Sequence, residues 1–159
     1  MQIKRRMITL LLAQQRLSDA QSLVLELKAT EGPEGKQWRY EQARVWLADN
    51  EAGKHYGELV GLLQGSLKLY PKDKALHLIL ASTYEQAGDL QLAISGYREA
   101  YHRAVDDLTV IVPLVNALQK AGESDEADRV LRRASEQKLT HPALAKLKLS
   151  GDLKQKRYG

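Results

Sequence analysis

The chain has 159 residues, of which 28% are charged and 43% are hydrophobic. This length and balance are typical of one globular domain and argue against a disordered chain. The sequence contains no cysteine, which excludes disulfide frameworks, thiolate metal sites and cysteine nucleophiles. Its longest apolar stretch, residues 7–13, is far shorter than the roughly 20 residues that a membrane-spanning helix needs.

The net charge of +4 is located entirely near the C-terminus. Residues 142–159 carry five basic residues and one acidic residue, so the remainder of the chain is neutral. A nucleic-acid groove needs basic side chains along a continuous face, because its affinity comes from the phosphates that it neutralises. The charge distribution therefore disfavours nucleic acid as a partner and leaves only this basic tail, residues 142–159, for such a role.

Two helices are predicted at the N-terminus, over residues 2–15 and 18–30. The first begins with Lys4, Arg5 and Arg6 and continues with apolar residues, a pattern that short secretory signals share. Because no small-residue cleavage site follows it, we favour a structural helix, and the sequence leaves the localisation undetermined. Residues 31–35, Glu-Gly-Pro-Glu-Gly, have the composition of a loop.

The next two helices are predicted over residues 36–50 and 54–70. Trp38 and Trp46 are eight residues apart, so two helical turns place them near one stripe. We favour core packing for both tryptophans, with an exposed aromatic anchor for a partner as the alternative.

Residues 74–141 repeat with a period of 34 residues. Glycine, alanine and large apolar positions recur in phase: Leu80, Tyr84, Gly88, Ala93, Tyr97 and Ala100 recur as Leu114, Leu118, Gly122, Ala127, Leu131 and Ala134. Each copy predicts a helical hairpin, with helices over residues 74–87 and 90–104 and over residues 108–121 and 124–137. Gly88 and Gly122 suit a left-handed turn, and Asp89 and either Ser124 or Asp125 are expected to cap the second helices.

A proline and a glycine interrupt the helical pattern near the C-terminus. Pro113 lies inside the helix over residues 108–121 and is expected to bend it. A terminal helix is predicted from Pro142 to residue 150 or beyond, but Gly151 interrupts its pattern and its leucines do not form one stripe. Either the helix breaks near Ser150, or the chain is a fragment of a longer repeat array, in which a further helix covers a second apolar side. We favour the second alternative.

The 34-residue period resembles that of the tetratricopeptide repeat (TPR) family, whose pattern is W-x2-L-G-x2-Y, then A-x3-F, then P. The third unit has Leu80, Tyr84, Ala93 and Tyr97 at these positions, and the fourth has Leu114, Leu118, Ala127 and Leu131. His77 and Ile111 replace the tryptophan and Val105 replaces the proline, so the repeats are divergent. The resemblance implies an all-α fold, a right-handed α-solenoid of about four helical hairpins. We expect a single domain with repeats near residues 1–34, 35–73, 74–107 and 108–141, followed by a C-terminal helix over residues 142–159.

The sequence offers no convincing catalytic or metal-binding motif. None of the four histidines has the HExxH spacing, which places two metal ligands and a base on one helical face. His77 and His102 lie at opposite ends of one predicted hairpin and could share a metal, but packing is the favoured role for His77. We therefore predict that the chain is not an enzyme and needs no cofactor.

The family resemblance implies a non-catalytic scaffold that binds a peptide or a partner protein in the concave groove lined by the first helix of each hairpin. The predicted groove residues point away from the second helices: Arg5, Arg6, Thr9, Ser82, Glu85, Gln86, Asn116, Gln119 and Lys120. The alternative is an RNA-binding helical-repeat module that uses the basic tail. Self-association through exposed end helices is a third interpretation.

Overall fold

The computed structural model describes the backbone of residues 2–49 and 53–158, and their side chains as far as residue 151. Within these ranges the chain forms nine α-helices: α1 (Gln2–Ala13), α2 (Leu17–Glu31), α3 (Lys36–Ala48), α4 (Tyr56–Leu69), α5 (Lys74–Gln86), α6 (Leu90–Arg103), α7 (Leu108–Ala121), α8 (Ser124–Glu136) and α9 (Pro142–Tyr158). The predicted all-α fold is confirmed. Contacts between residues divide the chain into two compact units, Met1–Thr83 and Tyr84–Gly159, which we call unit 1 and unit 2.

Helix α2 is the centre of unit 1, where it packs against both α1 and α3. Its residues Ala20, Val24 and Leu27 lie on one helical face and are buried. Ile8 of α1 and Trp38 of α3 complete this core from the two sides. The spacing of four and three residues in α2 is the spacing that places apolar side chains on one stripe of a helix.

The predicted loop between α2 and α3 is confirmed, and Trp38 fixes its shape. Gly32 ends α2 with a φ of 79°, a left-handed conformation that glycine adopts without strain. The indole Nε1 of Trp38 donates to the Gly32 carbonyl at 2.9 Å, and the Glu31 carboxylate accepts from the Trp38 backbone N–H at 2.9 Å. The carboxylate thereby satisfies a free donor at the N-terminus of α3.

The two tryptophans have different environments, both within unit 1. Trp38 is buried in the core, as predicted. Trp46 is half-buried, and its ring stacks on His55 with centroids 5.4 Å apart.

In unit 2, α7 packs against α6, α8 and α9, and six of its apolar residues are buried. The predicted small contact positions Ala93 and Ala127 are buried, and so are the predicted larger packing residues Tyr97 and Leu131. Helix α7 is continuous with Pro113 inside it, and the expected bend stays a prediction.

The predicted glycine turns are confirmed in unit 2. Gly88 and Gly122 have φ values of 88° and 79°. In each turn the next N–H bonds back to the helix, from Asp89 to the Tyr84 carbonyl and from Glu123 to the Leu118 carbonyl, both at 2.9 Å. These bonds satisfy carbonyls that the end of an α-helix leaves without a partner.

Two further turns use the left-handed conformation without glycine. Gln15, after α1, has a φ of 58°, and Lys138, after α8, has a φ of 55°. Their following N–H groups bond back in the same way, from Arg16 to the Leu11 carbonyl at 2.9 Å and from Leu139 to the Ala134 carbonyl at 3.0 Å. Because Gln15 occupies the turn, α1 ends at Ala13 rather than at the predicted residue 15.

The predicted capping side chains are wrong. Asp89 stands at the N-cap of α6, but its side chain makes no capping hydrogen bond. The N-cap of α8 is Glu123 rather than Ser124 or Asp125. Capping by aspartate occurs instead before α5, where Asp73 accepts from Ala75 N–H at 2.9 Å, and before α7, where Asp107 accepts from Thr109 N–H at 2.8 Å.

Helix α9 is continuous from Pro142 to Tyr158, so a break near Ser150 is wrong. Leu144 and Leu147 are buried against the unit, whereas Leu149 is 64% exposed. Gly151 lies where an added Cβ would come within 3.3 Å of the amide nitrogen of the Gln119 side chain on α7. The side chain of Leu153 lies outside the described residues.

Candidate functional site

The first helices of unit 1, α1 and α3, contact each other and form an open pocket of about 270 Å³. All of its lining side chains are polar, and all except that of Glu41 carry hydrogen-bond donors. The lining residues are Gln2, Arg5, Arg6, Thr9, Glu41 and Arg44. The predicted groove residues Arg5, Arg6 and Thr9 therefore lie together in it. We call this pocket the arginine pocket.

A fully buried carboxylate, Glu41, organises the arginine pocket. Arg5 donates its Nε to Glu41 Oε1 at 3.1 Å, and Arg44 donates Nη1 to Glu41 Oε2 at 2.8 Å. The same Nη1 of Arg44 donates to Thr9 Oγ1 at 3.1 Å, while the Thr9 hydroxyl donates to the Arg5 carbonyl. A buried charge is tolerated only when it is paired and hydrogen-bonded, and both oxygens of Glu41 are.

An aromatic ring supports the two arginines from the side. The guanidinium carbons of Arg5 and Arg44 lie 5.9 Å and 6.0 Å from the centroid of the Tyr40 ring. Cations are attracted to aromatic faces at this distance. Hydrogen bonds to Glu41 and contact with Tyr40 together hold both guanidinium groups in fixed positions.

Glu41 and Arg44 are not among the residues that were predicted from the sequence. A signal for Arg44 was present, because the loop at residues 31–35 adds five residues to the 34-residue period, so Arg44, which lies 39 residues after Arg5, is at the equivalent position. Glu41 gave no signal, because acidic residues on a predicted helix are usually solvated, whereas this one is buried.

In unit 2 the predicted residues Glu85 and Lys120 form an ion pair between the end of α5 and α7, with Lys120 Nζ 2.5 Å from Glu85 Oε1. The Tyr97 hydroxyl donates to Glu85 Oε2 at 2.8 Å. Burial raises the pKa of the Glu85 carboxyl, but the hydrogen bonds from Lys120 and Tyr97 and the charge of Lys120 together hold it below its usual value.

Gln119 contacts α9 rather than an open surface. Its amide Nε2 donates to the Leu147 carbonyl at 3.0 Å, and its Oε1 accepts from the Ser150 hydroxyl at 3.0 Å. The C-terminal helix therefore covers a residue that the sequence placed in the groove.

The remaining predicted groove residues have mixed exposure. Gln86, at the end of α5, is exposed, and Asn116 of α7 is half-buried. Ser82 is half-buried and belongs to unit 1.

The two histidines that the sequence singled out, His77 and His102, have different surroundings. The Nε2 of His77 lies 2.9 Å from the Pro71 carbonyl, and His102 is exposed. No group of three histidine or carboxylate side chains suited to a metal occurs among the described residues. Among the same residues, no helix is long and apolar enough to cross a membrane.

The basic tail is described in part. Lys146 and Lys148 are exposed on α9, and Lys148 Nζ donates to the Ser135 hydroxyl. The tail's other basic side chains, those of Lys154, Lys156 and Arg157, lie outside the described residues.

No protein-family model and no curated protein sequence matches the chain. Several solved structures resemble it closely in fold. MamA of AMB-1, in its P212121 crystal form, has a TM-score of 0.70 at 16% identity and covers 98% of this chain and 82% of its own. A mutant of MamA has a TM-score of 0.68 at 17% identity, covering 98% of this chain and 88% of that one.

A thermophilic TPR protein of Thermus thermophilus, TTC0263, has a TM-score of 0.70 at 21% identity, and the match covers 94% of this chain and 81% of that chain. The chain thus has a TPR-like helical repeat fold, as its 34-residue period predicted.

Proposed function

We propose that the chain is a non-catalytic protein-interaction scaffold that binds a peptide or a partner protein on its first helices. The arginine pocket is the observation that carries this proposal. It lies on the first helices α1 and α3, on the side where helical-repeat proteins present their binding surface. Its polar side chains are held by a buried carboxylate, a degree of order that exposed arginines do not have on their own.

Unit 2 has polar side chains of its own on α5 and α7. The first helices of this unit carry two side-chain amides, those of Gln86 and Asn116, and the positive charge of Lys120. Such a mixture suits the hydrogen-bonding groups of a polypeptide better than a polyanion. The TPR-like fold supports protein partners in general, and the absence of catalytic activity stays a prediction.

Photo-crosslinking tests where a partner binds. A benzophenone amino acid is placed at Thr9 in one variant and at Asn116 in another, and each purified protein is irradiated in the native extract. A matched control carries the probe at Ser22, which is exposed on the second helix α2. We expect each first-helix probe to capture a protein and the control to capture none. Capture from Ser22 alone would place the binding surface on the second helices.

The RNA-binding alternative makes a different prediction. Phosphate contacts give an affinity that falls steeply with salt, so a filter-binding series with single-stranded RNA detects them. Neutral substitutions at Lys154, Lys156 and Arg157 would then abolish binding, whereas the variant Asn116→Ala with Lys120→Gln would not. RNA binding that is steeply salt-dependent and sensitive only to the tail would replace the scaffold proposal.

A further inference from the structure

The arginine pocket has donors beyond those that bind Glu41. Each guanidinium carries five N–H donors. The bond from Arg5 to Glu41 uses Nε, and the bonds from Arg44 to Glu41 and Thr9 use Nη1, so the two Nη groups of Arg5 and the Nη2 of Arg44 are not part of the cluster. Arg5 and Arg44 keep 40% and 26% of their side chains exposed. A ligand in the pocket can therefore reach them.

The charges of the pocket do not balance. Arg5, Arg6 and Arg44 bring three positive charges against the single negative charge of Glu41, and the two remaining lining residues, Gln2 and Thr9, are neutral. Fixed guanidinium groups match the planar, two-oxygen geometry of a carboxylate. The pocket is thus complementary to an acidic side chain.

A stripe of exposed apolar side chains runs along α1 beside the pocket. Ile3, Met7 and Leu10 are 75%, 48% and 57% exposed, and their spacing of four and three residues places them on one face. Arg6 lies three residues after Ile3 and four before Leu10, so it borders both the stripe and the pocket. A polypeptide with apolar residues next to its carboxylates covers both surfaces, whereas a nucleic acid offers nothing to the apolar stripe.

We infer that the arginine pocket binds an aspartate or glutamate side chain of a partner-protein segment that has apolar residues beside its carboxylates. This inference rests on the proposed function and names the chemistry of the segment. Glu41 has two effects in it. It holds Arg5 and Arg44 in place, and it competes with the partner's carboxylate for the same guanidinium groups.

A peptide-binding experiment tests the inference. The probe is a short fluorescein-labelled peptide of leucine and glutamate, its twin has glutamine in place of every glutamate, and the readout is fluorescence anisotropy at moderate salt. We expect the glutamate peptide to bind and the twin to bind at least about tenfold more weakly, a loss of about 1.4 kcal/mol.

Three substitutions separate a specific site from general charge. Arg6→Gln should weaken binding of the glutamate peptide about three- to tenfold, and Glu41→Gln, which removes the competing carboxylate at nearly constant volume, should strengthen it by a similar factor. Arg132→Gln removes the same charge from an exposed position on α8 and should change binding by less than about twofold. Thermal midpoints of all variants are measured beside the titrations, which are run well below the lowest midpoint.

The opposite directions at Arg6 and Glu41 are decisive, because a purely structural cluster predicts neither. Equal binding of the two peptides, or equal losses from Arg6→Gln and Arg132→Gln, would overturn the inference. The inference would also be overturned if single-stranded RNA displaced the labelled peptide while an excess of unlabelled glutamate peptide did not. If the Thr9 probe captures a protein but the peptides do not bind as expected, only the inferred acidic chemistry of the partner is wrong. If the crosslinking probes also capture no protein, the proposed function is wrong as well.

Discussion

The turn after α1 can be stabilised by one substitution, Gln15→Gly. Gln15 adopts a φ of 58°, a left-handed conformation that costs a residue with a Cβ about 1–2 kcal/mol. Glycine removes this cost but loses about 0.5–1 kcal/mol through the greater freedom of the unfolded chain. The side chain of Gln15 is exposed, so little packing is lost. The net expectation is a gain of about 0.5–1 kcal/mol in the free energy of unfolding.

Urea unfolding followed by tryptophan fluorescence measures this gain, because both tryptophans lie in unit 1 with the turn. At an m-value of about 2 kcal/mol/M, the midpoint should rise by about 0.3–0.5 M. The matched control is Ala29→Gly, at an exposed position inside α2. This substitution should lower the free energy of unfolding by about 0.5–1 kcal/mol.

The converse substitution is Gly122→Val, which should lower the free energy of unfolding by more than about 1 kcal/mol. An added Cβ at Gly122 meets no atom within 4 Å, so this loss measures backbone strain and not a clash. If Gln15→Gly destabilised unit 1 as much as Ala29→Gly does, the argument from turn conformation would be refuted.

Three further predictions concern packing, helix propensity and pH. Ala127 is 1% exposed, so Ala127→Leu should overpack the core and lower the free energy of unfolding, measured by chemical denaturation, by about 1–3 kcal/mol. The control Ala145→Leu, at an exposed position on α9, should change that free energy by less than about 0.5 kcal/mol. An added Cβ at Gly61, inside α4, meets no atom within 4 Å, so Gly61→Ala should raise the free energy of unfolding by about 0.5–1 kcal/mol; a lower thermal midpoint would show that the helix needs the glycine. Hydrogen bonds from Arg98 hold the pKa of Glu126 below its usual 4.5 against the effect of burial. The stability from this pair is therefore complete well above pH 4.5 and is lost as the pH falls through the folded-state value, so the difference in thermal midpoint between wild type and Glu126→Gln should shrink from pH 7 to pH 3.

The fold could be predicted from the sequence because apolar spacing and glycine position both repeat. Gly88 and Gly122 mark turns at which only glycine is free of strain, and the structure has left-handed turns at both. The turn at Gln15 has the same geometry, but nothing in its residue type shows it. The helix-capping residues were harder to predict, because several polar residues precede each helix and their backbone conformation decides which side chain accepts a hydrogen bond. Asp107 does so before α7, whereas Asp89 does not before α6.

The candidate site was only partly predictable, for reasons of tertiary contact. Helical phase places Arg5, Arg6 and Thr9 on one face, and they do line one pocket. Phase does not show that Glu41 is buried between two arginines, because that depends on how closely α3 approaches α1. It also does not show that Gln119 contacts α9, because the position of the last helix depends on the tertiary packing of its buried leucines, Leu144 and Leu147.

The order of helix contacts has a consequence for the rate of folding. Within unit 1, α2 packs against its neighbours α1 and α3, and within unit 2, α7 packs against α6 and α8. Such contacts join segments that are close in sequence, so little loop entropy is lost before they form. Chains with this pattern fold much faster than β-sheet proteins of the same size. Each unit can therefore acquire its core within a short stretch of chain, so unit 1, which is synthesised first, is expected to begin folding while unit 2 is still being synthesised.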